Sequence, residues 1–545
     1  MKLNKSILVL LFAASLFTAC KDELQILNPN DPTPESAASE NGIIALGQGG
    51  IYRSGFRGLD PKYNDGVPGF FWSGAVGFHS IFGDEIGVEA ANWYLNQIGC
   101  PDEVVLDNGT TVKNPQNPST QYGLLRLANK ADQQSSNPAY HEWANMYTLN
   151  NSCNNIISIS DKVAFTVDGD NKKKTLQAWA YWWKGFAYSR IGSIYYAGLI
   201  NSEPNKASNV YVSKDKILEE ANVNFDKAGA LLKSISSGSY DAIMAKLIPS
   251  FCQVGLGGVP TPAMWQRSIN SYKARNILAN TPVASMSSAQ WASVLALTTD
   301  GVKATEKVFT GRSDANGDFL NPQTGTVASK TTSVKPGTAT YKLSERLVQD
   351  FKDADKRKAN NFSIDKPWLG NADRGTTFNT RYALIDKGAG MAGVATIINR
   401  DEGATEFYLS VSYEENELMK AEALINTSKI EDGLTIIDAI RTLQGAGLPA
   451  VSGKSLTLAQ AKEELRLERR CALAFRGLAF YDARRLGLCE KGNSRTNCVV
   501  VDRDGVVNTK ATIRYNFLDY FDVPDNELIY NPAAAGSAPL VNPKN

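Results

Sequence analysis

Glu468 and Asp482 stand seven residues either side of Phe475 in a largely apolar stretch, residues 462–487, KEELRLERRCALAFRGLAFYDARRLG. Two carboxylates on the packed face of a helix are the raw material either of acid–base chemistry or of internal ion pairing. Arg469, Arg476 and Arg485 are the cations at hand, and Asp482 with Arg485 has the i,i+3 spacing of a helical pair. A buried carboxylate left unpaired costs several kcal/mol, so structural pairing is the expectation. Other catalytic sets are thin. His79 and His141 are the two histidines of the chain, too few for a multi-histidine metal centre or a histidine-centred triad. Asp314, Asn316 and Asp318 open like a calcium loop, yet glycine falls at the fourth place and no glutamate at the twelfth, which reads as an Asx-rich turn. The GLGG at 255–258 lacks phosphate-loop spacing. Acidic residues are abundant, but no local motif selects a glycosidase-like pair. No catalytic residue, metal ligand or cofactor is assigned.

Aromatic residues point elsewhere. Trp72, Trp93 and Tyr94, with Phe70 and Phe71, sit among glycines in residues 63–97 without a sustained helical period. A flat ring on a glycine-rich loop covers the apolar face of a pyranose while polar neighbours hold its hydroxyls. The alternative is that these rings plug the body of the fold. Trp368, in KPWLGNADRG, is the most loop-like tryptophan and the leading single contact. These four residues, Trp72, Trp93, Tyr94 and Trp368, form the candidate ligand-binding set.

The elements that must position them are helical. Residues 462–487 carry no proline and are apolar on two faces, which predicts one interior helix of about seven turns. Gly477 inside it implies close approach of another backbone. Amphipathic spacing predicts helices over 141–159, 175–196, 214–234, 265–278, 288–305, 412–426 and 430–443, with Ser287 or Ser288 as an N-cap. In 175–196, Leu176, Trp179, Trp183, Phe186 and Ile194 share a face, so those tryptophans belong to the core. Helix pairs of about 30–40 residues recurring along a chain indicate an α-solenoid of irregular tetratricopeptide type. The fold class expected is mainly α, a tetratricopeptide-like α-α superhelix with a loop-rich non-repeat lobe packed against it. Residues 138–309 and 408–487 carry the repeats, and 41–137, 310–407 and 488–545 the lobe. At 545 residues the chain exceeds the span of one ordinary core, as a repeat architecture permits.

Composition narrows the setting. Residues 2 and 5 are lysines ahead of an apolar run of 13 residues at 7–19, too short to cross a bilayer core of about 30 Å as a helix. Residues 1–19 therefore read as a signal peptide and 20–40 as a tether, the latter rich in Pro, Asn, Asp and Ser from residue 28. Without Lys2 and Lys5 the 57 basic residues become 55, against 56 acidic, which favours neither nucleic acid nor an acidic surface as a partner. Cys489 and Cys498 flank a polar loop and would close a small disulfide worth about 2–3 kcal/mol. Cys471 reads as a buried thiol.

Several of these segments resemble one family. Glu468, Arg469, Leu473, Phe475, Gly477, Asp482, Arg485 and Gly487 are similar to the C-terminal motif ER..EL..EG.R..DL.R.G of the SusD/RagB outer-membrane nutrient-binding lipoproteins, with departures at Ala472, Arg476, Ala479 and Ala483. Glu417, Leu418, Ala421 to Leu424, then Ile440, Arg441 and 445–448 resemble a second motif, with Asp438 in place of asparagine. Trp291 fits the family's third helix pair, and Pro524, Glu527, Asn531 and Pro532 its ending. Phe17-Thr18-Ala19-Cys20 resembles a lipobox, which implies lipidation, including palmitate, at Cys20 and an outer-membrane, surface-exposed lipoprotein. Lys21-Asp22-Glu23 looks like the charged signal for surface export. The resemblance implies capture of an oligosaccharide or other small nutrient, without catalysis, and its transfer to a SusC-type TonB-dependent transporter. The rival readings are a surface glycan-degrading enzyme and a tetratricopeptide-type adhesion or assembly lipoprotein.

Overall fold

The computed structural model describes residues 37–50, 79–88, 95–236, 238–250, 253–255, 257–312, 341–368, 379–385 and 406–544. The described chain is mainly α-helical. Helices α1 (Glu40–Gln48) and α2 (Gln121–Ala128) precede the long α3 (Pro138–Ser160) and α4 (Gly169–Ile194). Then come α5 (Lys214–Lys233), α6 (Ser239–Leu247), α7 (Pro262–Asn280) and α8 (Ser288–Thr299). Two short helices, α9 (Glu345–Asp350) and α10 (Lys356–Asn361), separate these from α11 (Tyr413–Asn426) and α12 (Ile430–Leu443). Last are α13 (Leu458–Ala472), α14 (Ala479–Arg485) and α15 (Asp525–Tyr530).

Caps start many of these helices where polar side chains precede apolar spacing. Ser213, Thr261 and Ser412 each accept an N–H of the first turn, and Ser287 forms a reciprocal capping box with Gln290. Successive packing then runs α3 on α4, α4 on α5, α5 on α7, α7 on α8, α8 on α11, α11 on α12, and both of these on α13. Stacking on sequence neighbours is the geometry of a helical-repeat superhelix. Helix α8 ends at Thr299, six residues short of the predicted end, where Gly301 packs against Asn416.

Tryptophans of α4 make its core. Trp182, Trp183, Trp179 and, from α7, Trp265 surround Phe309 with ring centroids 4.6, 5.3, 5.5 and 5.3 Å away. All five rings are buried, which agrees with a core role for this group.

The predicted single helix over 462–487 is two helices, α13 and α14, separated by residues 473–478. Phe475 and Gly477 adopt left-handed backbone with φ of 61° and 71°. Left-handed backbone is itself a reason for glycine at 477. The N–H of Phe475, which an unbroken helix would turn back on its own ladder, is instead donated to Glu85 Oε1 at 2.8 Å.

Beside the helices lies a lobe of strands. An antiparallel sheet has the order β7 (Arg495–Val501), β8 (Val507–Arg514), β2 (Glu103–Val105) and β3 (Thr111–Lys113). Strands β1 (Ile86–Val88) and β4 (Tyr341–Leu343) pair antiparallel, as do β5 (Phe362–Trp368) and β6 (Thr380–Leu384). The tail closes back on the helices. Trp143 of α3 donates its indole N–H to Glu527, Asn531 donates to Ser208 O, and Arg126 of α2 pairs with Asp522 at 2.9 Å. The expected disulfide is absent: Cys489 and Cys498 are both free and buried, and the Cys498 thiol donates to Arg495 O at 3.3 Å. Burial pushes the Cys489 thiol up to about 12.

Three helices are locked through one carboxylate. Glu468 of α13 accepts from Arg357 Nη1 at 2.8 Å and Nη2 at 3.2 Å and from Arg441 Nε at 2.9 Å, and Arg357 also holds Asp355 at 2.8 Å. Arg357, Asp355 and Glu468 side chains are each about 1% exposed. Removing one partner of such a pair leaves buried charge, so Arg357→Ala is expected to lower stability by about 3–5 kcal/mol. A urea titration followed by circular dichroism checks it, and an unchanged midpoint would contradict the lock.

Candidate functional site

Trp72, Trp93 and Tyr94 lie outside the described residues, as does Cys20. Trp368 closes the β5–β6 ladder opposite Thr380, so its backbone belongs to a strand end rather than to a free loop. The structure therefore does not bring the four aromatic candidates together within its described part.

It does bring together the residues first considered for chemistry. A cleft of about 90 Å³ opens between α13, α14 and the turn 82–85. That turn comes close to α14: a Cβ on Gly83 would lie 2.6 Å from the backbone carbon of Ala479. Asp482 sits on the cleft wall. Arg469 donates Nε and Nη2 to it at 3.0 Å each, and Arg485 donates Nε at 2.7 Å. Arg485 turns its two remaining nitrogens to Glu422 of α11 at 2.6 and 2.7 Å. Burial raises the Asp482 carboxyl, but the guanidinium groups of Arg469 and Arg485 outweigh it and hold the group below its ordinary range. Glu468 finds Arg357 and Arg441 from outside the segment, not the arginines near it in sequence.

Asp84 and Glu85, adjacent in the chain, are driven in opposite directions. At Asp84 burial is outweighed by Arg346, whose Nη2 lies 2.6 Å away, and by Arg470 and Arg495, so its carboxyl is held well below the usual range. At Glu85 burial prevails over Arg470, the Phe475 N–H and the Ser80 hydroxyl, and pushes the carboxyl up to about 7. Unlike environments for neighbouring carboxylates are also what acid–base catalysts use. Here both Glu85 oxygens are engaged internally, Oε1 by Phe475 N and Oε2 by Ser80 Oγ, each at 2.8 Å. The arrangement holds the turn against the helix break. His79 is likewise inside: burial lowers its imidazole, against the pull of Glu142 at 3.7 Å.

No protein-family model and no curated protein sequence matches the chain. Solved structures do. A SusD-like carbohydrate binding protein from Bacteroides vulgatus superposes with TM-score 0.51 at 13% identity, covering 92% of this chain and 98% of that one. A SusD superfamily protein from Parabacteroides distasonis gives 0.54 at 12% identity over 91% and 98%. Surface glycan-binding protein A from Bacteroides uniformis gives 0.52 at 15% identity over 91% and 98%. The chain has the SusD-like fold.

Within this SusD-like fold the two motif segments read from the sequence are physically joined. Arg485 of one, which also donates to Asp482, meets Glu422 of the other, and Glu468 of one meets Arg441 of the other. Sequence reasoning missed Asp84, Glu85, Arg346, Arg470 and Arg495. The signal available was the acidic pair Asp84-Glu85 set between apolar residues in SIFGDEIGV.

Glu85 makes stability depend on pH. Its carboxyl is raised from 4.5 to about 7 on folding, so the folded state binds this proton more tightly. That contribution is fully present below pH 4.5 and is lost as pH rises through about 7. Glu85→Gln removes the term, so the melting temperature of the variant relative to the parent is expected to rise from pH 5 to pH 8. Differential scanning calorimetry across that range checks it, and a constant difference would contradict a neutral buried Glu85.

Proposed function

We propose that this protein is a cell-surface glycan-binding lipoprotein that captures an oligosaccharide and passes it to a SusC-type TonB-dependent transporter in the outer membrane, without transforming it. The observation that carries this reading is the SusD-like fold over nine-tenths of the chain, in company with structures described as carbohydrate binding and as glycan-binding. The Cys20 lipobox and the charged residues after it supply the anchor and the address. Among the described residues no helix is long and apolar enough to cross a membrane, which accords with attachment through lipid. The helical superhelix provides a rigid body, and the non-repeat lobe carries the ligand contacts on Trp72, Trp93, Tyr94 and Trp368. Rings there stack on sugar faces while amide and carboxylate groups take the hydroxyls.

Two measurements test this. Replacing Trp72, Trp93 and Trp368 together by alanine is expected to weaken binding of an accepted glycan on the order of tenfold or more, since each stacked ring contributes about 0.5–1.5 kcal/mol. Isothermal titration against a glycan panel reads it, with reducing-end release assayed in parallel; equal affinity in the variant would remove the proposed site, and released ends would favour an enzyme. Cys20→Ser is expected to abolish palmitate labelling and move the protein from the membrane to the soluble fraction. A variant still labelled and membrane-bound would contradict the anchor.

A further inference from the structure

The N-terminal tether meets the body of the protein at one end of the superhelix. Glu40, at the start of α1, accepts from Lys172 near the start of α4 at 2.7 Å, and farther along Gly47 O accepts the indole N–H of Trp179 at 3.2 Å. Helices α1 and α4 therefore begin at the same end. The turn between α5 and α6 lies there too, since Ser236 N donates to Asn171 Oδ1 at 3.3 Å and Ser239 Oγ donates to Asp168 Oδ2. The tips of this end carry no charge: the α3–α4 turn presents 163–167, VAFTV, and the α5–α6 turn presents 234–236, SIS. Val167 is 71% exposed, with Ala164 and Thr166 exposed beside it and Phe165 half-buried beneath. Lysines around the tips are largely neutralised, Lys172, Lys173 and Lys174 by Glu40, Asp161 and Asp170, which leaves Lys162 and Lys233 exposed at the rim.

We infer that this end face rests on the lipid surface of the outer membrane, with Val167 and its neighbours at the boundary between headgroups and acyl chains. Where the tether arrives decides the occupant. Residues 20–36 make 17 residues, a length that spans about 20–25 Å as a coil, and they reach the body beside this face. On the lipoprotein reading their far end is in the bilayer, so the uncharged tips are held within reach of it. A few apolar side chains bind a free protein to a membrane poorly; a tether supplies the proximity and leaves them to set the orientation. Lysines at the rim suit the headgroup level, where the stem lies on apolar surface and the ammonium stays in water. The inference rests on the lipoprotein part of the proposed function and is independent of the glycan.

Hydrogen exchange read by mass spectrometry tests it on the chain from residue 21, with a hexahistidine tag in place of Cys20, bound to phosphatidylcholine vesicles that contain nickel-chelating lipid. The amides of 163–167 donate no backbone hydrogen bond among the described residues, so they report contact directly. They are expected to exchange more slowly on vesicles than in solution by on the order of threefold or more, while 525–541 in the tail exchanges equally in both. Val167→Asp and Thr166→Asp each change an exposed side chain, and each is expected to remove that protection without unfolding the protein. Unchanged exchange at 163–167 in vesicle-bound protein, or protection kept in both folded variants, would overturn the inference. Protection seen in native outer-membrane vesicles but not on lipid alone would give the face to a protein partner and overturn it equally. The chelate tether bypasses Cys20, so failure here is distinct from loss of palmitate labelling, which tests the anchor itself.

Discussion

The carboxylate of Glu468 is the point on which the arrangement of the last helices depends. It is buried on α13 and neutralised from two directions, by Arg357 before α11 and by Arg441 on α12. A charge in that position is tolerable only if each partner is in place, so the three segments are either assembled together or each left with an unpaired ion. Gln444 completes the junction by accepting from Arg357 and donating to Ala472 O. Apolar packing would hold these helices together in several registers. The charge network admits one.

A similar logic joins the lobe to the superhelix. Asp84 and Asp350 belong to the lobe side, and Arg346, Arg470, Arg466 and Arg495 converge on them from α9, α13 and β7. Tyr515 adds a hydroxyl donor to Asp84 at 2.7 Å. The helix break at 473–478 is what lets the 82–85 turn enter: Glu85 supplies the acceptor that the broken ladder lacks. The left-handed Phe475 is a strained choice for a bulky residue and is held because its N–H has that acceptor.

For function, the consequence is a division of labour. Ion pairs concentrate where helices and lobe meet and make that region stiff. Under the proposed function, ligand contact is the part of aromatic residues outside this network.

Periodicity and caps made the helices legible. The bounds of α12 agree with the expected 430–443, and Ser412, expected as the start of α11, is its cap, because apolar spacing and a capping hydroxyl are local properties. The core role of Trp179 and Trp183 was legible for the same reason. Pairing of Asp482 with Arg485 followed from i,i+3 spacing alone. What the sequence by itself could not determine was the partner of Glu468, since Arg357 is 111 residues away. Nor could it reveal that residues 462–487 break in two: every residue there suits a helix except Gly477, and the break is made by Glu85, a carboxylate 390 residues distant from the N–H it accepts. Local preference decides which segments are helices; buried charge, which must find its counterpart wherever the chain carries it, decided where they bend and how they meet.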